Sequence, residues 1–159
     1  MALNPYAHFL EGRAPLPVIE ETPARVEALA AAIGDAGMDR AYGPGKWTTA
    51  QILCHLADVE IAWGMRLRQA VAQPHHVIQP FEQDDWAKAY PHMDPHVALA
   101  AFLALRRWNV AFLKTVPETE HAKPVTHPER GTMTVFGMLQ TMAGHDLNHL
   151  AQLEILAAG

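Results

Sequence analysis

Cysteine is almost absent from this sequence: Cys54 stands alone among 159 residues, so no internal disulfide can form and a disulfide-stapled secreted miniprotein is excluded. Basic charge is also scarce. Twelve Lys and Arg against seventeen Asp and Glu leave a net charge of −5, and no long basic cluster offsets it, which argues against a nucleic-acid partner. The longest uninterrupted apolar run, Val97 to Leu105, is about half of what crosses a bilayer. The start, MALNPYAHFLEGRAP, has neither the basic nor the apolar region of a secretory signal. Together these absences imply a cytoplasmic protein that binds neither membrane nor nucleic acid.

What is there is a globular composition, with 50% hydrophobic and 18% charged residues, too apolar for a disordered chain. The length suits a single domain over residues 1–159 that buries a core without covalent staples. No stretch sustains the apolar and polar alternation of a strand, whereas four segments between Gly and Pro punctuation carry helical periodicity. The expected fold is all-α.

A short turn is expected at 5–11, with Asn4 as cap, Pro5 at the first helical position and Gly12 beyond the end. The first main helix is placed at 23–34, started by Thr22 and Pro23, with Val26, Leu29, Ala30 and Ile33 inward. The second has the clearest start: Thr48 and Gln51 form a capping box, and Trp47 and Ile52 are spaced as a hydrophobic staple. It runs to Gln73 with Ile52, Leu56, Val59, Trp63 and Leu67 on one side. The third runs from Asp94 and Pro95 to Val116, ahead of Pro117, and the fourth from Thr134 nearly to the C-terminus. Four such helices bury their stripes against one another as a four-helix bundle. About twenty residues join the second and third helices and about seventeen the third and fourth, more than bundle loops use. The long crossover between helices two and three permits them to run parallel, and it makes 74–93 a candidate lid over a site.

The ten histidines sort by position. His75, His76, His92, His121 and His127 fall in connections, His8 in the short turn and His96 in the first turn of the third helix; all seven are expected to be solvated. On the fourth helix Val135, Met138, Leu139, Met142, Leu153 and Leu156 define the inward stripe, and His145 and His149 fall within it at about 100° per residue. Their i, i+4 spacing is how a helix presents two ligands to one metal. His55, projected beside Ile52 and Val59, meets them from the second helix. Three imidazoles in an apolar stripe cost desolvation unless they are satisfied together, and a shared divalent cation does that. The alternative is a metal-free core in which hydrogen bonds satisfy the rings.

Three neutral nitrogens leave a coordination position open, the pattern of catalytic rather than structural zinc. Zinc suits such a set, and three imidazoles also suit nickel, iron or manganese, among which the residues do not choose. Water at the open position would be acidified, or a thiolate substrate would replace it. Cys54 lies about 100° round the helix from His55, a poor position for a fourth ligand, so any thiol would come from a small molecule. Four further residues are candidates to support the site. Asp146 makes the segment H-D-x-x-H, one methylene shorter than the H-E-x-x-H of metalloproteases; Gln152 follows His149 by one turn; Arg106 and Asn109 interrupt the stripe Leu99, Phe102, Leu105 and Leu113. Each also has an ordinary role open to it: a solvated or capping Asp, a helix-edge Gln, an Arg that pairs with a carboxylate or snorkels outward. In the loop QPFEQDDWA (79–87), Phe81 and Trp86 are expected to pin the segment down while Glu82, Asp84 and Asp85 stay in solvent.

The segments GKWTTAQILCHLADVE, ending at Glu60, and GHDLNHLAQLEIL near the C-terminus, in this order, resemble the DinB-like (YfiT-like) superfamily of bacterial four-helix bundles. The resemblance extends over almost the whole chain. It implies a metal held by one histidine of the second helix and two of the last, here His55, His145 and His149. It also implies parallel second and third helices and a homodimer. Relatives that include bacillithiol S-transferases and a mycothiol-dependent maleylpyruvate isomerase imply a metal that activates a low-molecular-weight thiol. Asn148 departs from the pattern, since many relatives carry another histidine there, which changes the surroundings of the ligands without removing one. The expected function is a divalent-metal-dependent enzyme acting on a small-molecule substrate, as thiol transferase or hydrolase. A non-catalytic, metal-stabilised binding or stress-response module is the rival.

Overall fold

The computed structural model describes residues 4–159. In chain order the elements are α1 (Ala7–Leu10), α2 (Pro15–Ile33), α3 (Thr49–Ala72), β1 (His76–Val77), α4 (Gln83–Ala87), α5 (Pro95–Leu113), β2 (Pro124–His127), β3 (Gly131–Thr134) and α6 (Val135–Ala157). Three of the four long helices start where their capping residues stand. The Gln51 N–H donates to Thr48 Oγ1 at 3.3 Å and the Thr48 N–H donates to Gln51 Oε1 at 2.9 Å. Asp94 accepts from the His96 N–H at 2.8 Å and Thr134 from the Gly137 N–H at 3.1 Å. Each such cap stabilises its helix by about 1 kcal/mol.

Two boundaries differ from the sequence expectation. α2 starts at Pro15, eight residues before Pro23, because Pro15 takes the first helical position and apolar residues such as Val18 and Ile19 are already buried. Thr22 is not a cap; its Oγ1 donates to the Val18 carbonyl inside the helix at 2.8 Å. Pro23 lies mid-helix without an N–H, which leaves the Ile19 carbonyl without its intrahelical partner. α5 stops at Leu113 rather than Val116, since a residue preceding proline disfavours helical backbone.

The side-chain contacts give the helix directions. Along α3 and α5, Glu60 meets Arg106, Gly64 meets Asn109 and Arg68 meets Phe112, so both numbers rise together and the helices run parallel. α2 and α6 are parallel as well, with Val18 beside Leu147 and Arg25 paired with Glu154. Between the pairs the order reverses: His55 of α3 meets His145 and His149 of α6, and Trp63 lies near Met138. Ile19, Val26, Ile52, Leu67, Met138, Met142 and Leu153 are wholly buried between the helices, each worth about 1.5–3 kcal/mol. Among the described residues only α5 is long and apolar enough by composition to cross a bilayer; here it packs along α3 with Arg106 and Asn109 buried.

A small sheet interrupts the all-helical picture. β1 pairs parallel with β2 (His76↔Val125, Val77↔Thr126) and β2 antiparallel with β3 (Val125↔Met133). Strands of two to four residues are too short to show a period of two. The sheet ties the two long connections together, and β3 leads directly into α6.

Candidate metal centre

Every residue of α6 from Thr141 to Leu150 except Asn148 is buried, because this stretch is enclosed by α2, α3 and the crossing α1. Gly144 permits the last of these contacts: a Cβ there would stand 2.5 Å from the Tyr6 carbonyl oxygen. The Tyr6 ring is thereby set edge-on to His145, with centroids 5.2 Å apart. On the opposite side Trp47 lies against His55 at 4.7 Å and stacks over His149 at 6.4 Å.

His55, His145 and His149 meet inside this enclosure, 1%, 5% and 5% exposed. The Nε2 atoms of His55 and His149 stand 3.0 and 3.1 Å from Nε2 of His145. His149 Nδ1 is 2.8 Å from Gln152 Oε1; an amide oxygen only accepts, so the proton belongs on Nδ1 and Nε2 presents a lone pair. One proton on His145 Nε2 then serves one of its two neighbours and leaves the other contact without complement. His55 Nδ1 is buried with no partner. Burial, followed by the neighbouring His149, brings His55 down to about 3. Burial brings His149 to about 4 against the raising effects of Gln152 and Asp146, and His145 lies well below the usual histidine value through burial, His149, His55 and Arg106. All three rings are therefore neutral at pH 7, the form that ligates a metal. Converging lone pairs that lack protons to share fit a divalent cation.

A second polar cluster lies directly behind the first. Arg106 Nη1 and Nη2 donate to the two carboxylate oxygens of Asp146 at 2.6 and 3.0 Å, and Nε donates to Glu60 Oε2 at 2.8 Å. Nη1 also donates to the Ile19 carbonyl at 3.1 Å, the group freed by Pro23. Asn109 donates to Glu60 Oε1 at 2.8 Å and accepts from Arg68 at 2.6 Å. Burial works against the Arg106 charge, but Asp146 and then Glu60 outweigh it and hold its pKa raised. Asp146 therefore faces the guanidinium, as neither a solvated nor a capping residue. Gln152 supports an imidazole, and Arg106 and Asn109 join four helices. Glu60 is the residue that sequence reasoning missed. Its signal was a second inward stripe on α3, Leu53, Ala57, Glu60 and Gly64, all buried, with Glu60 and Gly64 meeting Arg106 and Asn109 of α5.

Two clefts reach the histidines. One of about 250 Å³ is lined by Tyr42, Lys46, Trp47, Asn148, His149 and Gln152. The other, of about 130 Å³, runs past Trp63, Arg66, Phe81, Arg130 and Met138 to His145. Tyr6 and Gln83 line both, so the long crossover does overhang the site. Phe81 stacks on Trp86 at 4.4 Å, and Glu82, Asp84 and Asp85 are exposed. His127 corrects the expectation of a solvated residue: it is 8% exposed at the end of β2, in the second cleft. His76 and His121 are half-buried, while His8, His75, His92 and His96 are exposed. Cys54 is wholly buried outside the histidine cluster, its pKa pushed up by burial, Asp58 and Asp94.

Comparison with known proteins agrees with this architecture. A "Putative metal-dependent hydrolase" of Oceanobacillus iheyensis is 27% identical over 139 residues, covering 87% of this chain and 81% of that protein. "Putative metal-dependent hydrolase YfiT" of Bacillus subtilis is 27% identical over 144 residues, covering 88% and 80%. The solved structure of YfiT, described as "an unusual four-helix bundle topology", superposes with a TM-score of 0.83 at 25% identity over 91% of this chain and 84% of that one. The mycothiol-dependent maleylpyruvate isomerase shares the fold, with a TM-score of 0.72 at 13% identity over 87% of this chain and 59% of that one. The sequence profile of the DinB superfamily matches residues 19–153, and the chain belongs to that superfamily.

Proposed function

We propose that the protein is a divalent-metal-dependent enzyme in which His55, His145 and His149 hold the ion and a small-molecule substrate enters beside it. The observation that carries this reading is the convergence of three neutral Nε2 atoms whose protons cannot satisfy one another, at the floor of two open clefts. A cation in such a set makes a water or a small thiol at its open position more acidic and so a better nucleophile at neutral pH. Hydrolysis, or group transfer to a low-molecular-weight thiol, is the corresponding reaction class. The names of the relatives favour water; the buried, protonated Cys54 leaves any thiol to be supplied from outside.

The protein's own side chains do the remaining work. Gln152 keeps the His149 proton on Nδ1. Trp47 and Tyr6 wall off the imidazoles from bulk water. Arg106 fixes α3 and α6 against α5, and with them the spacing of the rings. Zinc or nickel suits the donors best. The same reading takes the protein as a cytoplasmic homodimer, with the exposed Ile61, Met65 and Val77 as apolar surface available for pairing.

Elemental analysis after loading with Zn²⁺ or Ni²⁺ tests the site: wild type retains about one ion per chain and His149→Ala loses it. Turnover is then compared on activated esters, with water as acceptor, and on electrophiles with added cysteine. Wild type and His149→Ala both empty of metal would refute the reading. A fourth protein ligand, or a loaded protein that melts later but turns over neither class, would make the ion purely structural.

A further inference from the structure

The cleft that ends at His145 is lined by two arginines, Arg66 and Arg130. Arg66 stands three turns beyond His55 on α3, within about 20° of the same face and roughly 16 Å along the axis. It donates to the Gln79 carbonyl at 2.9 Å and lies over the Phe81 ring at 5.2 Å. Arg130 follows β2, and its Nε is buried with no hydrogen-bond partner. Among the described residues neither forms an ion pair, in contrast with Arg25 and Arg106. The two guanidinium groups are close enough that Arg130 helps bring Arg66 down to about 10, after burial. Among the described residues the only carboxylate lining the cleft is the exposed Glu129. Two cations without ion-pair partners in one partly buried cleft are unfavourable. The walls between them and His145 are apolar, with Val59, Trp63, Ile78, Phe81 and Met138.

We infer that Arg66 and Arg130 form a carboxylate-binding subsite, and that the cleft takes a small organic acid whose apolar body lies along the walls with its other end toward His145. This deepens the proposed function and rests on it for the assignment of the reacting end, but the subsite itself needs no metal. A guanidinium fork matches a carboxylate bidentately, and a second arginine adds charge where the first has little solvent. The carboxylate belongs either to the substrate or to a thiol cosubstrate.

Calorimetry of hexanoate against hexanamide on chelator-treated protein tests the subsite without a metal to bind the acid. Wild type is expected to bind hexanoate on the order of tenfold more tightly than the amide. Arg130→Gln, whose side chain has no hydrogen bond to lose, is expected to abolish that preference. Arg66→Gln does the same, with Arg66→Lys retaining part of it should the glutamine loosen the Phe81 loop. Equal binding of acid and amide, unchanged hexanoate binding in Arg130→Gln, or no binding of hexanoate to wild type would overturn the inference. Metal uptake on reloading with Zn²⁺ is measured in parallel: hexanoate discrimination in a protein that takes up no metal on loading refutes the metal centre and leaves the subsite standing, and metal uptake without discrimination does the reverse. On metal-loaded protein, 6-mercaptohexanoate binding more tightly than hexanoate assigns the carboxylate to the thiol partner, and equal binding assigns it to the other substrate; either supports the subsite.

Discussion

Two polar clusters share α3 and α6 in the interior of this bundle, and they differ in how far the protein completes them. Around Arg106 the guanidinium nitrogens meet two carboxylates and a backbone carbonyl, and Asn109 fills a further acceptor of Glu60. Around His145 three nitrogens face one another with too few protons to go round, and His55 Nδ1 has no partner. Buried polar groups are ordinarily hydrogen-bonded, and an incomplete cluster needs a specific reason. The first is scaffold. On the proposed reading the second is completed by an ion from outside, and the scaffold behind it holds the three rings in place.

Acid provides the largest separation of the two. His55 at about 3 and His149 at about 4 lie below the 6.5 of an unfolded histidine. The unfolded chain therefore binds protons first, and the metal-free protein loses stability as pH falls from 6.5 toward 4. Each unit of depression in each ring is worth about 1.4 kcal/mol, which sums to several kcal/mol in urea titrations at pH 4.5 against pH 7. In His55→Gln/His149→Gln this part of the acid sensitivity disappears. Acid sensitivity equal to wild type in that variant would mean that the rings take up protons in the folded protein as readily as in the unfolded chain.

Next in size is the scaffold. Arg106→Met leaves Glu60 and Asp146 buried without their cation, and a broken buried ion cluster costs about 3–5 kcal/mol, measurable as a lower urea midpoint at pH 7. Arg106→Met combined with Glu60→Gln and Asp146→Asn removes the stranded charges and is expected to recover part of the loss. A cost below about 1 kcal/mol, as for an exposed pair, would end the distinction drawn between the clusters. The smallest effect belongs to the contact that prepares a ligand. Gln152→Ala weakens metal binding by about 10- to 100-fold while the metal-free protein melts nearly as wild type does. Unchanged zinc affinity would show that Gln152 does not set the His149 tautomer.

Much of this was readable from spacing. Thr48 with Gln51, Asp94 and Thr134 announced three helix starts because capping is a local hydrogen bond between residues two or three apart. His145 and His149 could be assigned inward because they share a stripe with Met138 and Met142. The same reasoning misread α2, where Pro23 looks like a start and is instead a tolerated interior proline. It also failed at Glu60 and His127, and it left the partner of Asp146 unread. Periodicity assumes one buried face, whereas α3 buries a second stripe against α5 and α6 is enclosed nearly all round. His127 is buried by a strand too short to have a pattern.

The sequence by itself determined the helical bundle, the inward face of the histidine pair, the companion histidine on α3 and the impossibility of an internal disulfide. Each follows from local periodicity, local capping or composition. The tertiary structure alone decided that Arg106 takes the carbonyl freed by Pro23, that Glu60 and Asp146 share one guanidinium, and that Arg66 and Arg130 face one cleft. These contacts join residues 40 to 87 positions apart in the Arg106 cluster, and such pairings depend on how one helix registers against another. That register is set by packing across the whole core, which no local pattern encodes.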